Sequence, residues 1–409
     1  MLRSPSNDLG AQVRRIWAES SKRRRRDRSQ NFRTRFSGAA RSDIFPRSRS
    51  SPVRRAASGP PHKFKNEAAE GERNVTARSV FAGVLFVAIA LLFTGRAHAL
   101  DKVSFATNWR AQAEHGGFYQ AVADGTYARY GLDVTIMQGG PQLNARLLLA
   151  AGKVNFAMGA NTIQMFESVQ QNVPVVTVAS MFQLDPMILM SHPGVGLDRF
   201  DDLPKATAFI ASDMRASAWQ WLKQAYGFMD KNVRPYNFNS APFLADKNSI
   251  QQGYLTSEPY AIEREGGFTP NIFLLADYGY DGYSTTIETL ANTIAKTPDL
   301  VQRFVDASII GWYNYLYGDN AGANALIKRD NPEMTDGQIA YSIAKMKARG
   351  VVVSGDALAQ GVGVITDARM KSFFDKMAKA GVVPADLDYK SGYTLRFIGK
   401  KVGMELRPK

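Results

Sequence analysis

The stretch over residues 103–134 limits the folds open to this chain more than any other. Val103, Phe105 and Ala106 form a short apolar run that stops at Asn108-Trp109. His115-Gly116-Gly117 reads as a break, after which Phe118, Ala121, Val122 and Tyr127 recur at helical spacing. Gly131-Leu132-Asp133-Val134 then turns into another strand. A strand, a turn, a helix and a strand in that order predict an α/β fold.

The alternation continues downstream. Residues 134–137, 154–158, 173–180, 187–190, 207–210 and 272–275 read as strands, and residues 143–151 as a helix closed by Gly152. Gly159-Ala160-Asn161-Thr162 leads into a helix through Ile163, Phe166 and Val169. The small polar run 212–217 precedes a helix carrying Trp219, Leu222 and Tyr226. Residues 250–254 read as helix or turn, with Leu255 as a strand leading to Ser257-Glu258-Pro259. From Ile287 onward the expectation is mainly helix, over 300–317, 321–330, 336–348 and 367–380. The pattern predicts mainly parallel strands, in two lobes with a helical C-terminal part. One lobe takes residues 100–188 and 281–409, the other 189–280.

The charge of the chain decides one function class. Its formal net charge is +14, but residues 1–99 hold 21 of the 51 basic and 7 of the 37 acidic residues, leaving 30 of each sign in the body. The body therefore has no electrostatic footprint for nucleic acid. Residues 1–74, with the run Lys22-Arg23-Arg24-Arg25-Arg26, form a basic leader without apolar periodicity and are expected to be disordered. Residues 75–99 read as a signal peptide: Arg78, an apolar run over 80–93, and Ala97-His98-Ala99 as the cleavage motif. That run is short for a bilayer span, so an uncleaved membrane tether is the lesser alternative. Since a signal peptide rarely sits behind such an arm, translation is expected to start near residue 75. The chain has no cysteine, which excludes disulfides, thiolate metal sites and cysteine nucleophiles.

In α/β sheets ligands gather beyond the carboxyl ends of strands, so those junctions supply the candidate site. Asn108 and Trp109 offer an amide and a stacking face, or a turn former and a buried indole. Gly159, Asn161 and Thr162 open a helix, where free N–H groups suit a polar ligand or a plain cap. Ser212, Arg215 and Ser217 stand at a second such junction. Glu258 offers an acceptor for a ligand amine or ring nitrogen, and Tyr283, with Tyr278 and Tyr280, offers an aromatic face or an ordinary Gly-turn tyrosine. His115 beside Glu114 is a further candidate. The motifs for a P-loop, a two-histidine metal site and a nucleophile elbow are absent, so no metal or cofactor is expected.

Several of these segments, in order, resemble the periplasmic solute-binding proteins for nitrate, sulfonates, taurine and thiamine pyrimidines. They are Asn108-Trp109, Tyr130-Gly131-Leu132-Asp133-Val134, Gly152-Lys153-Val154-Asn155-Phe156, Pro174-Val175-Val176 and Ser257-Glu258-Pro259-Tyr260, spread over residues 103–310. The resemblance implies a type II periplasmic binding fold that closes on its ligand by hinge motion. It also implies a monomer that delivers a small solute to the permease and ATPase subunits of an ABC importer, with a thiamine-pyrimidine precursor as first candidate and small anions next. Fungal thiamine-pyrimidine synthase is similar at Asn108-Trp109, His115 and the Gly152-Lys153-Val154 segment, which raises an enzyme that uses pyridoxal phosphate. The matching helix here, residues 159–167, holds neither the lysine nor the histidine of that enzyme, and its cysteine motif is missing. The expectation is a binding protein rather than an enzyme.

Overall fold

The computed structural model describes residues 99–140 and 143–408. The expected basic leader and signal peptide fall on residues 1–98 and lie outside them. The strands are β1 (Asp101–Ala106), β2 (Leu132–Met137), β3 (Phe156–Asn161), β4 (Val175–Phe182), β5 (Met187–Ser191), β6 (Thr207–Ile210), β7 (Val233–Pro235), β8 (Ser249–Tyr254), β9 (Asn271–Leu274) and β10 (Ser284–Leu290). They form two five-stranded sheets, ordered β2-β1-β3-β10-β4 and β7-β6-β8-β5-β9. The chain crosses from the first sheet to the second between β4 and β5 and returns between β9 and β10.

Both sheets are mixed: four strands of each run one way, in keeping with mainly parallel strands, and one runs against them. β1 pairs parallel with β2 and β3, and β6 with β7 and β8. β10 runs antiparallel to β3 and β4, and β5 antiparallel to β8 and β9. The antiparallel members are the strands that carry the chain between sheets, so each enters its sheet from the opposite end. The end of β10, from Ile287, falls where the sequence predicts mainly helix. Its sequence, Ser-Thr-Thr-Ile-Glu-Thr-Leu, is polar enough to hide a strand that is almost wholly buried. Residues 250–254 are likewise strand rather than helix or turn, because β8 is wedged between β5 and β6; Leu255 lies just beyond it.

The helices that bear on the site are α1 (Gly116–Ala123), α2 (Ala145–Ala150), α3 (Thr162–Gln170), α4 (Ser212–Ala216), α5 (Ala218–Tyr226), α6 (Glu258–Gly266), α7 (Pro298–Tyr317), α8 (Ala321–Asp330), α9 (Asp336–Ala348) and α10 (Asp367–Lys379). The long α7 covers the first sheet. Its Phe304 stacks on Phe156 at 4.1 Å and on Tyr127 at 5.4 Å, with Phe105 also at 5.4 Å. Buried aromatics of this size dominate core energetics, and truncating Phe304 to Ala is expected to cost about 3–5 kcal/mol.

His115-Gly116-Gly117 does not break the chain, as read from sequence; the two glycines are the first turn of α1. They are small because α7 lies directly on them. A Cβ at Gly116 would collide with the ring of Tyr315, and one at Gly117 with the indole of Trp312. Gly311 on α7 faces the Gly117 carbonyl in the same way. Glycine here buys close helix approach, a reason invisible in local sequence. Among the described residues no helix is long and apolar enough to cross a membrane.

Candidate functional site

A cleft opens between the two sheets, beyond strand ends of each. From the first sheet, the loop after β1 carries Asn108 and Trp109 into it. That loop is pinned: the Thr107 hydroxyl donates to the Trp109 carbonyl at 2.7 Å, and the Gly139 amide donates to the same carbonyl at 2.9 Å. A Cβ at Gly139 would press on the backbone of residues 107–109, so glycine is required for the approach. The next turn brings in Gln112, Glu114 and His115.

The second sheet faces them with the end of β8, the start of α6 and the segment after β7. Glu258 is held by the Tyr254 amide, donating at 2.7 Å, and the Tyr236 hydroxyl, donating at 3.2 Å. Asp213 lies on α4. Phe238 meets Trp109 across the cleft, ring centroids 3.8 Å apart and planes at 68°. Phe238 does so from φ 63, a left-handed conformation that costs a residue with a Cβ about 1–2 kcal/mol.

The electrostatics of this inner compartment are one-sided. It is lined by Glu114, Asp213 and Glu258 and by no Lys or Arg. Burial pushes the Glu114 carboxyl up from 4.5 to about 7, against the bond from Thr256, and Glu258 adds like charge. Burial also raises Asp213 and Glu258, the latter further through Asp213. Burial lowers His115 to about 3, so its imidazole is neutral at working pH. Both its ring nitrogens, and Asn108 Oδ1, are buried without a protein partner; unsatisfied buried polar atoms are uncommon and here they border a cavity.

Outside the aromatic pair lies a second compartment of about 630 Å³, within the roughly 300–1,000 Å³ of small-molecule sites. Ser212 and Arg215 line it. So does Arg146 on α2, whose guanidinium forms a two-pronged ion pair with buried Glu288 of β10, at 2.5 and 2.8 Å.

The sequence candidates therefore separate. Asn108, Trp109, His115, Ser212, Arg215 and Glu258 line the cleft. Gly159 does not: it lies within β3, where a Cβ would strike the Glu288 carboxylate. Asn161 ends that strand and caps α3 by accepting from the Gln164 amide at 3.3 Å. Thr162 is bonded to the backbone of Tyr283, accepting from its N–H at 2.9 Å, so both are buried inside the fold. The Tyr283 ring lies under Arg369 at 4.2 Å. Tyr278 stacks on Phe200 at 3.8 Å, and Tyr280 packs on Trp221 and Phe373. Ser217 separates α4 from α5 and donates to the Asp213 carbonyl at 2.8 Å; the polar run before it is a helical turn, not an open loop. Phe238, Asp213, Gln252 and Tyr254 were not singled out in the sequence. Asp213 stood in the polar run already noted; Phe238 carried no local signal.

The sequence pattern of the family described as NMT1/THI5 like matches residues 112–319, just over half of the chain. The chain belongs to that family. A riboflavin-binding protein, RibY, of Chloroflexus aurantiacus is 26% identical over 308 residues, covering 73% of this chain and 86% of its own. The 4-amino-5-hydroxymethyl-2-methylpyrimidine phosphate synthase of Schizosaccharomyces pombe is 27% identical over 103 residues, 25% of this chain and 30% of that one. Among solved structures, a protein of Bordetella bronchiseptica RB50 is 14% identical and covers 74% of this chain and 97% of its own, with a TM-score of 0.57. The alkanesulfonate-binding protein SsuA of Xanthomonas axonopodis pv. citri, bound to MOPS, is 12% identical and covers 73% and 99%, with a TM-score of 0.52. The fold is the type II periplasmic binding protein fold. Fold and family agree: this is a member of the NMT1/THI5-like family with a periplasmic binding protein fold. Pyridoxal phosphate does not fit the cleft: α3 holds no Lys or His, and no lysine lines either compartment.

Proposed function

We propose that this chain is the periplasmic solute-binding component of an ABC-type importer and holds a flat, nitrogen-containing heteroaromatic solute between its sheets. One observation carries the ligand class: aromatic faces at Trp109 and Phe238 stand beside three buried carboxyls, with no Lys or Arg lining the inner compartment. A flat ring gains from the indole face. Carboxyls raised by burial can donate as acids or accept as carboxylates, which suits ring nitrogens, amines and ring carbonyls. A nitrate or sulfonate would be buried among like charges instead, which is costly. A pyrimidine precursor of thiamine and a flavin ring both satisfy these demands, and the two curated relatives, named for riboflavin and for a pyrimidine phosphate, support the same class. The closing partners are the permease and ATPase subunits.

The test is to purify the protein without added ligand, unfold it, and identify any released small molecule by mass spectrometry. Thermal shifts with riboflavin, the hydroxymethylpyrimidine, nitrate and taurine then rank candidates. A raised Tm with a heteroaromatic ring is the expected result. A rise with nitrate or taurine alone would refute the ligand class.

A further inference from the structure

The chain passes between the sheets twice, through crossovers over residues 183–186 and 275–283. One side chain of the helical C-terminal part holds both. Arg369, in the first turn of α10, donates from its guanidinium to the Gln183 carbonyl of the first crossover. The same group donates to the Asp281 carbonyl of the second at 2.9 and 3.2 Å, and to the Gly282 carbonyl at 3.3 Å. It also covers the Tyr283 ring at 4.2 Å. A guanidinium presents five N–H donors in a rigid planar fork, so it can keep two backbone segments in one fixed relation. Further bonds tie each segment to the same region. The Gln183 and Leu184 amides donate to the Val351 carbonyl at 2.7 and 3.1 Å. The Thr366 amide donates to the Tyr283 hydroxyl at 3.0 Å, and Lys376 pairs with Asp281 at 2.5 Å. α10 itself packs on the first sheet's side, where Phe374 meets Phe166 of α3 at 5.5 Å.

We propose that Arg369 is a positioning residue for closure: it clasps the two crossovers to each other and to the first sheet's side, so that the second sheet swings about one axis and the cleft residues meet in register. Hinges are a few residues that absorb large backbone changes. With residues 183 and 281–283 gripped, that change falls to residues 185–186 and 276–280. Gly279 stands among them at φ 106, a conformation that suits glycine. Without the fork the crossovers flex separately, and the sheets open wider and twist against each other. Tyr283, which the sequence offered as a ligand face, is on this reading part of the hinge.

The chain has no cysteine, so two introduced cysteines can carry spin labels without background. Leu147→Cys on α2 and Arg234→Cys on β7 are exposed positions, one on each sheet's side. Pulsed electron resonance then reads the distance between them in the unliganded protein, in the parent background and with Arg369→Met or Arg369→Lys. Both variants are expected to shift the distribution to a longer mean and a greater width, because lysine keeps the charge over Tyr283 but not the fork. Urea unfolding of each checks the fold, and if the methionine variant does not fold, the lysine variant decides. A folded methionine variant that is less stable but keeps the parent distribution overturns the clasp and leaves Arg369 a stabiliser of the fold. A lysine variant with the parent distribution also overturns it, since charge alone would then hold the hinge. No solute is added, so the outcome is independent of the ligand class.

Discussion

The Thr256 hydroxyl donates a hydrogen bond to the Glu114 carboxyl, joining the turn before α1 to the segment after β8. The two residues belong to opposite sides of the cleft, so this bond ties the sheets together at its inner end. Thr256 is itself anchored from α9: the Ser342 hydroxyl donates to its carbonyl at 2.6 Å, and the Gln338 amide at 3.4 Å. The helical C-terminal part therefore braces the closed contact from behind.

Glu114 makes stability depend on pH, with a definite sign. Burial raises it from 4.5 to about 7, so between those values the folded state holds a proton that the unfolded state has lost. Stability then falls as pH rises through that window and levels off above about 7. Glu114→Gln removes this dependence. Relative to the parent, the variant should gain stability between acid and mildly alkaline pH, by at most about 3 kcal/mol. Urea unfolding of both proteins at the two ends of the window measures it. Asp185, raised to about 7, and His115, lowered to about 3, titrate in both proteins and drop out of the difference. Parallel pH curves would show that Glu114 is not desolvated in solution.

The Arg146–Glu288 pair should be worth little as a pair and much as a half. Glu288 is fully buried, and removing its guanidinium leaves a charge without a partner. Arg146→Ala is expected to cost about 3–5 kcal/mol in urea unfolding, whereas Arg146→Met with Glu288→Leu should recover most of that loss. A single variant as stable as the parent would mean that water reaches Glu288.

The approach of α1 and α7 predicts the effect of one methyl group. Gly117→Ala places a Cβ inside the Trp312 indole, which must move within a packed core. A loss of about 1–3 kcal/mol is expected. Trp312→Leu in the same background should return part of it, since it opens the space the methyl needs; additive losses would place the strain elsewhere.

These cases explain what sequence could and could not reveal. Helices Ala321–Asp330 and Asp336–Ala348 were legible to the residue because their signals are local, such as Thr335 accepting from the Gln338 amide at the start of α9. β8 and β10 were not, because Gln251, Gln252 and Glu288 look solvent-bound until the partner strands and Arg146 cover them. The two glycines before Phe118 answer to residues on α7, nearly two hundred positions away. The site divides the same way. Asn108, Trp109 and Glu258 stand at strand ends, where position alone drew attention. Tyr283 and Thr162 stand at similar junctions, but bond to each other. Phe238 was missed because nothing local announces a phenylalanine at positive φ.

Phe238 supplies the prediction that best separates binding from folding. Its backbone strain, about 1–2 kcal/mol, is opposed by an aromatic contact with Trp109 worth about 0.5–1.5 kcal/mol. Glycine adopts φ 63 freely, so Phe238→Gly gives up the contact and the strain together. Its stability should stay within about 1 kcal/mol of the parent. Affinity for a ring solute should nonetheless fall, because a stacking face is gone; Trp109→Ala should lower it further, by about 1–3 kcal/mol, or about ten- to a hundred-fold. Titration of both variants with riboflavin and the hydroxymethylpyrimidine, alongside urea unfolding, reads the two effects separately. If Phe238→Gly unfolded easily yet bound as the parent does, the strained backbone would serve the fold and not the solute.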